Sequence, residues 1–358
     1  MKIFSKYNLK KIELNNRIVM APMTRSRATG NIPNDLMAEY YKQRSDAGLI
    51  ITEGTAPSPN GLGYPRIPGI YSDSQIQGWK KITDAVHSKD GKIFIQSMHT
   101  GRVSHPENMG PGTRILAPSA IGMSGEMYTD TKGMQPYPAP QEMTLQDIEE
   151  TQNEFLKAAQ NAIEAGFDGV ELHGANGYLI DQFINPASNQ RNDEYGGLIQ
   201  NRCRFVLEVA QKVAHAVGEE KTGIRLSPYG VFNDMVVFED VEPTYEYLAG
   251  ALGELKLAYI HIIDQSFMGS PKVPESIISK IRAAFGGNLI ANGGLDKEKA
   301  EAILNENKAD LIAFGRSFLA NPDLVKKMKN DLPLNNPDEE TFYTPGENGY
   351  TDYPFAND

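Results

Sequence analysis

The sequence contains a single cysteine, Cys203, among its 358 residues. One thiol cannot form an internal disulfide bond, which excludes a disulfide-stabilised domain and favours a reducing compartment. Long apolar runs are also missing, because no segment approaches the roughly 20 apolar residues that a membrane-spanning helix needs. The first residues show no secretory signal pattern. We therefore expect a cytoplasmic protein without membrane attachment.

Basic residues are outnumbered by acidic ones, 35 to 46, which gives a formal net charge of -11 at pH 7. An acidic surface argues against nucleic acids and anionic membranes as partners, although it allows a local cationic pocket for a phosphate. Hydrophobic residues make up 40% and charged residues 23%, a globular composition. The length suits an α/β barrel with insertions.

Short apolar segments recur along the chain, and each ends in glycine or polar residues. They are rich in Ile, Val, Leu and Phe, as expected of parallel strands that are buried on both faces. The segments are 17–22, 48–54, 92–99, 169–174, 223–228, 259–264, 288–294 and 310–316.

Helical patterns lie between most of these segments. They cover 73–90, 144–166, 200–218 and 296–310, and the second begins after Thr144 as N-cap and ends at Gly166. Eight strands alternating with helices predict a (β/α)8 barrel in a single domain over 1–358, with a doubly wound open sheet as the alternative. The first strand lacks the G-x-G-x-x-G pattern that such an open sheet would carry.

Two segments show neither a strand pattern nor a helix pattern. Segment 103–143 is dense in Gly, Pro and Met and follows the third strand, so we expect a long irregular loop that caps the catalytic face. The tail 331–358 contains Tyr350, Tyr353 and Phe355, and these aromatics argue against a disordered tail.

Lysine is missing from the predicted strand ends, which argues against Schiff-base and pyridoxal phosphate chemistry. His99 and His173 follow different strands, and no acidic residue lies at metal-ligand spacing from them, so no metal site is predicted.

Glycine-rich turns follow the last two strands, and Arg316 lies in the second of them. Backbone N–H groups at a helix start together with a cation are typical of a phosphate site, although these glycines could simply end the strands. Arg225 and Gln96 also lie at strand ends. A phosphate site, a cation and an amide together suit flavin mononucleotide, whose N1–C2=O edge gathers negative charge on reduction.

The order and spacing of several longer motifs support a family assignment. They are "NRIVMAPMTRSRA", "QSMHTGR", "GFDGVELHGANGYLIDQFINPASNQRNDEYGG", "NRCRFVLEVA", "GIRLSP", "FGRSFLANPDL" and "YTDYP". With these motifs the chain resembles the Old Yellow Enzyme family of FMN-dependent ene-reductases over nearly its whole length. Thr24, where another subgroup has cysteine, matches the classical branch.

The resemblance implies a set of FMN-binding residues. Thr24 would hydrogen-bond the flavin O4 and tune its potential, Arg225 would stabilise the N1 edge, and Arg316 would bind the phosphate. The whole set is Pro22, Met23, Thr24, Gly54, Gln96, Arg225, Asn292, Gly293, Gly294, Gly315 and Arg316.

The resemblance also implies catalytic roles. His173 and Asn176 would donate hydrogen bonds to the carbonyl oxygen of an α,β-unsaturated substrate, Tyr178 would protonate its α-carbon, and Thr24 would act through the flavin. From the turn alone, His173 could equally be a structural residue. The implied substrate contacts also include Tyr64, Met98 and Tyr350, although side chains of these types more often pack in a core.

The implied activity is reduction of enones, with NADPH or NADH as hydride donor and phenols as inhibitors, by a monomer or homodimer. Alternatives are reduction of nitro compounds, nitrate esters or quinones, another flavin barrel such as an amine dehydrogenase, or a non-catalytic flavin-binding protein. Many relatives have Trp at the position of Met98, so we expect better tolerance of bulky β-substituents.

Overall fold

A computed structural model describes residues 1–356, and its strands form one closed barrel and three small two-stranded sheets. The strands are β1 (Tyr7–Leu9), β2 (Ile12–Leu14), β3 (Ile18–Met20), β4 (Leu49–Thr55), β5 (Ile93–Ser97), β6 (Leu116–Ala117), β7 (Glu126–Thr129), β8 (Gly133–Pro136), β9 (Gln141–Glu142), β10 (Gly169–Gly174), β11 (Thr222–Leu226), β12 (Tyr259–Ile263), β13 (Asn288–Asn292) and β14 (Leu311–Phe314).

Helices connect most of the barrel strands and surround the barrel. They are α1 (Asp35–Gln43), α2 (Asp73–His87), α3 (Leu145–Glu164), α4 (Leu179–Ile184), α5 (Ile199–Arg202), α6 (Arg204–Val217), α7 (Val241–Glu254), α8 (Glu275–Phe285), α9 (Lys297–Asn305), α10 (Arg316–Ala320) and α11 (Leu324–Lys329). In the part of the chain that the structure describes, no helix is both long and apolar enough to cross a bilayer.

The barrel contains all eight predicted strands, in the order β3-β4-β5-β10-β11-β12-β13-β14, and β14 pairs with β3 to close it. Every pairing within the barrel is parallel. The predicted (β/α)8 barrel is thus confirmed, and the open sheet is wrong. Because parallel strands end at the same rim, the polar residues that follow them meet at one mouth.

Helix starts follow the predicted capping chemistry. The Thr144 hydroxyl accepts the N–H of Asp147 while the Asp147 carboxylate accepts the N–H of Thr144, which closes a capping box at the start of α3. The single helix predicted over 200–218 is wrong in one detail, since α5 and α6 are separated at Cys203. Cys203 keeps nearly helical angles, φ -82 and ψ -11, so the interruption is one residue long.

The capping segment 103–143 follows β5, the third barrel strand, as predicted, but it is not devoid of strands. β7 and β8 form an antiparallel hairpin, and β6 pairs with β9. These strands are two to four residues long, and all of them except the buried β6 have solvent-exposed residues. A two-stranded ribbon needs no continuous apolar run, which is why the sequence pattern missed it.

Three buried arginines anchor the C-terminal tail to the barrel. Arg25, Arg27 and Arg44 are at most 2% exposed, and they donate to backbone carbonyls of the tail. The Tyr350 ring stacks on Tyr40 with centroids 4.0 Å apart. The part of the tail up to residue 356 is therefore ordered against the barrel, and residues 357 and 358 lie outside the described residues.

Candidate active site

A cavity of about 700 Å³ lies at the C-terminal ends of the barrel strands. The first barrel strands contribute Pro22, Thr24, Gly54, Gln96 and Met98, and the central ones contribute His173, Asn176, Tyr178 and Arg225; Tyr64 lies on a connecting loop. The cavity thus brings together ten of the residues that the sequence placed at the flavin or the substrate.

The capping hairpin and the tail supply part of the cavity wall. Segment 103–143 was predicted to cap this face, but the residues that line the cavity from the two segments were not predicted. Met127, Tyr128, Asp130 and Tyr137 come from the capping segment, and Tyr343 comes from the tail. Arg66 joins these two walls, because its guanidinium contacts Asp130 and donates to the backbone carbonyl of Tyr343 at 2.8 Å. Neither periodicity nor a motif marks these residues, since tertiary contacts alone bring them to the mouth.

His173 and Tyr178 lie beside each other. Their ring centroids are 4.9 Å apart, with the rings close to perpendicular. The Tyr178 hydroxyl lies 3.1 Å from that of Tyr64. Nδ1 of His173 is buried and has no hydrogen-bond partner among residues 1–356. Buried polar atoms are normally paired, so this imidazole has hydrogen-bonding capacity that the surrounding protein does not use.

Asn176 occupies a turn that fixes its amide. Its backbone has φ 61, the left-handed region, and its N–H donates to the Ser227 hydroxyl at 2.9 Å. The side-chain Oδ1 accepts a hydrogen bond from Nε2 of Gln265 at 2.8 Å. Because the oxygen is engaged by Gln265, the Nδ2 amino group is the part of this amide left to donate to a ligand.

Burial sets the protonation states of His173 and Tyr178. Desolvation, reinforced by the nearby Arg225 and His261, lowers the pKa of His173 well below its usual value, so the imidazole is neutral at pH 7. Desolvation raises the pKa of Tyr178 to about 12, and the hydrogen bond with Tyr64 opposes this rise. The site therefore presents a neutral imidazole and a protonated phenol.

Arg225 supplies the cation at the cavity floor. Burial lowers its pKa to about 10, so it keeps its charge at neutral pH. Its Nη2 donates to Oδ1 of Asn292 at 2.7 Å, and Nδ2 of Asn292 donates to the carbonyl of Ala313 at 2.8 Å. Asn292, which was predicted to bind the cofactor, does not line the cavity and instead orients the Arg225 guanidinium through this hydrogen bond. Nε of Arg225 is buried without a partner in the described chain.

Gly54 lies directly against the side chain of Met98. A Cβ at this position would lie 2.4 Å from Sδ of Met98, closer than real Cβ contacts. Met98 itself is 1% exposed. The thioether therefore occupies the space beside Gly54, and both residues line the cavity.

The predicted phosphate-binding residues follow β13 and β14 and do not line this cavity. Gly293 and Gly294 have φ 131 and φ 59, conformations that favour glycine. Arg316 is exposed and begins α10, with its guanidinium carbon 5.9 Å from the centroid of Phe267. Met23 also lies outside the cavity. It packs against Gly315, where an added Cβ would be 3.6 Å from the Met23 sulfur.

Tyr350 is not brought to the cavity, contrary to the predicted substrate contact. Its side chain is 0% exposed and packs between Tyr40 and the buried arginines of the tail anchor. The tail reaches the cavity through Tyr343 instead, which is 61% exposed. The stack on Tyr40 and the contacts with Arg25 and Arg27 hold Tyr350 in the core.

His99 has a local structural partner. Its Nδ1 accepts the N–H of Gly101 at 3.1 Å, and burial lowers its pKa to about 3. Within residues 1–356, no group of three or more His, Cys, Asp or Glu side chains is arranged to hold a metal ion.

Comparisons with known proteins agree with this architecture. The model of the NADH:flavin oxidoreductase / NADH oxidase family matches residues 2–335. A probable flavin mononucleotide-dependent alkene reductase of Leishmania infantum is 43% identical, covering 96% of this chain and 94% of that protein. 12-Oxophytodienoate reductase 1 of Oryza sativa subsp. japonica is 41% identical, covering 99% and 93%.

Solved structures show the same likeness. Morphinone reductase superposes with a TM-score of 0.96 at 42% identity, covering 99% of this chain and 96% of that one. The Old Yellow Enzyme homologue from Zymomonas mobilis gives 0.94 at 40% identity, covering 99% of both chains.

The chain belongs to the Old Yellow Enzyme family, the NADH:flavin oxidoreductases. The predicted family, the oxidoreductase class, the FMN cofactor and the nicotinamide hydride donor are thereby confirmed.

Proposed function

We propose that this enzyme reduces the carbon–carbon double bond of α,β-unsaturated carbonyl compounds at the cavity that holds His173, Asn176 and Tyr178. The observation that carries the proposal is the meeting of two uncharged hydrogen-bond donors and a protonated phenol in one cavity. The relatives named as an alkene reductase and a 12-oxophytodienoate reductase support it.

The residues present fit FMN. Arg225 offers a cation with an unpaired Nε, Gln96 offers an amide, and Gly54 leaves the wall beside Met98 free of side chain. Thr24 and Pro22 line the same cavity, and Met23, Gly293, Gly294, Gly315 and Arg316 remain the proposed residues for the rest of the cofactor. Bound in its reduced form, FMN supplies a hydride to the β-carbon of the substrate.

The carbonyl oxygen of the substrate becomes negatively charged when the β-carbon accepts hydride. Donors that are already oriented toward that oxygen stabilise the charge without reorganisation. Nδ2 of Asn176 is free to donate because Gln265 engages Oδ1. His173 is neutral, so it donates one N–H without adding a full positive charge. The two residues together act as an oxyanion hole.

Tyr178 completes the reaction by giving its phenolic proton to the α-carbon. The O–H bond of Tyr178 breaks as the new C–H bond forms, and the enolate becomes the saturated ketone. The Tyr64 hydroxyl, 3.1 Å away, is placed to stabilise the phenolate and to return a proton to it. Tyr64 is only partly buried, so this pair connects the acid with solvent.

The pH dependence of enone reduction follows from these pKa values. The acid works while it is protonated, and Tyr178 loses its proton only as pH approaches about 12. Burial shifts the pKa of His173 well below its usual value, so the imidazole stays neutral at neutral and alkaline pH. We expect reoxidation of the reduced enzyme by an enone to be pH-independent between about 6 and 9. Stopped-flow rates with a clear break in that window would contradict this assignment.

Met98 should set the room for β-substituents. Met98→Trp would place an indole in the space beside Gly54 that the smaller Met98 thioether now fills. We expect 3-substituted cyclohexenones to lose at least about tenfold in kcat/KM relative to 2-cyclohexenone, because room for one methylene of a substrate in an apolar pocket is worth about 1–3 kcal/mol. Met98→Leu conserves volume and serves as the control. An unchanged substrate ratio in the tryptophan variant would remove Met98 from this role.

Steady-state turnover tests the proposed function. Purified enzyme with NADPH or NADH should consume 2-cyclohexenone and form cyclohexanone in equal amounts. Nitro compounds, nitrate esters and quinones should be assayed beside it. Nicotinamide oxidation with those acceptors and none with a panel of enones would contradict the proposal and identify the alternative activity.

A further inference from the structure

A buried carboxylate lies in the barrel interior next to the cavity floor. Glu171, in β10, has 0% exposure. Its Oε1 accepts a hydrogen bond from Nε2 of Gln96 at 2.8 Å, and its Oε2 lies 2.9 Å from Nδ1 of His261. A buried ionic group stabilises a fold less than apolar residues of the same volume would. A carboxylate at this place therefore points to a role other than packing.

The chemistry of Glu171 determines which way Gln96 faces. A carboxylate only accepts hydrogen bonds, so Gln96 must turn its Nε2 toward Glu171. Its carbonyl oxygen Oε1 is then left for the cavity that Gln96 lines. By the same argument Nδ1 of His261 carries the proton. Burial lowers the pKa of His261, so this histidine is neutral and its one N–H is used on Glu171.

We propose that Glu171 is a positioning residue for the flavin: it holds Gln96 with its carbonyl oxygen toward the imide N3–H of FMN. This inference rests on the proposed function, because it needs FMN on the cavity floor beside Gln96 and Arg225. An imide N–H is a donor, so an amide oxygen suits it and an amide nitrogen would not. Glu171 also places a negative charge next to Gln96, which would disfavour negative charge on a reduced flavin bound there and would make that flavin a stronger reductant.

Glu171→Gln separates the charge from the hydrogen bonds. Its new amide can accept from Gln96 and donate to His261 once the His261 proton moves to Nε2. FMN should therefore stay bound while the charge is lost. We expect the equilibrium constant for flavin reduction, measured in the holoenzyme against a reference dye, to rise about tenfold, the scale of one buried charge. An unchanged equilibrium constant would overturn the electrostatic role.

A double-mutant cycle tests the positioning role. Glu171→Leu and Gln96→Leu should each increase the loss of FMN from diluted holoenzyme by about tenfold, the effect of one strong hydrogen bond. Together they should lose FMN no faster than the worse single variant, because Glu171 acts through Gln96. Additive losses would overturn the proposal. Circular dichroism shows that each variant is folded.

Two outcomes separate this inference from the proposed function. A wild-type enzyme that reduces enones, with additive losses and an unchanged Glu171→Gln equilibrium, would overturn the inference alone. A wild-type protein that takes up no FMN would overturn both.

Discussion

Tyr178→Phe should leave flavin reduction by NADPH or NADH intact and slow reoxidation by 2-cyclohexenone by about 10²–10⁴-fold, the usual contribution of a positioned general acid. The phenol is held in its protonated form by burial, which raises its pKa to about 12. Phenylalanine keeps the ring beside His173 and removes only the hydroxyl. The two half-reactions can be followed separately by stopped-flow absorbance of the flavin.

Tyr64→Phe is the matched control for Tyr178. It removes the hydroxyl that lies 3.1 Å from the acid but leaves the acid itself. We expect reoxidation to slow by no more than about tenfold, the effect of one neutral hydrogen bond. Normal reoxidation in Tyr178→Phe would show that water or another residue protonates the α-carbon.

His173→Ala should lower kcat/KM for 2-cyclohexenone by about 10²–10³-fold, because one of two oxyanion donors is lost. The same variant should bind phenols at least about tenfold more weakly, since a phenolate oxygen resembles the enolate oxygen and a hydrogen bond to a charged group is among the stronger ones. Phenol affinity is measured by titrating the flavin spectrum, which does not depend on turnover.

Asn176→Leu and His173→Asn serve as comparisons for the oxygen-binding role. Asn176→Leu removes the second donor and leaves Gln265 without its acceptor, so its effect should match that of His173→Ala within about tenfold. His173→Asn restores an N–H donor and should recover part of the phenol affinity. Unchanged phenol binding in His173→Ala would exclude this histidine from the oxygen site.

The barrel could be predicted from sequence because its strands are buried on both faces. β14, for example, is fully buried along Leu311–Phe314, and such burial produces an uninterrupted apolar run that the sequence displays. The capping hairpin could not be predicted, because β7 and β8 are only four residues long, and β7 alternates between exposed and buried residues while β8 has no buried residue. The tail is held by arginine donors to backbone carbonyls, and these interactions follow no periodicity.

The part of the site that lies at the ends of the barrel strands could also be predicted from the sequence. Residues at strand ends, such as Gln96, His173 and Arg225, meet because parallel strands of a barrel share one rim. Residues brought in by the hairpin and the tail, such as Tyr137 and Tyr343, depend on contacts between distant parts of the chain. Glu171 did leave a signal, a charged residue inside an apolar strand, which marks a buried polar cluster.

The most direct test of the account is the visible spectrum of the purified protein under anaerobic conditions. We predict a yellow protein that bleaches when NADPH or NADH is added and regains its colour when 2-cyclohexenone follows. A protein that bleaches and ignores every enone would contradict the proposed reaction while keeping the flavin. A colourless protein that takes up no added FMN would contradict the assignment of the site itself.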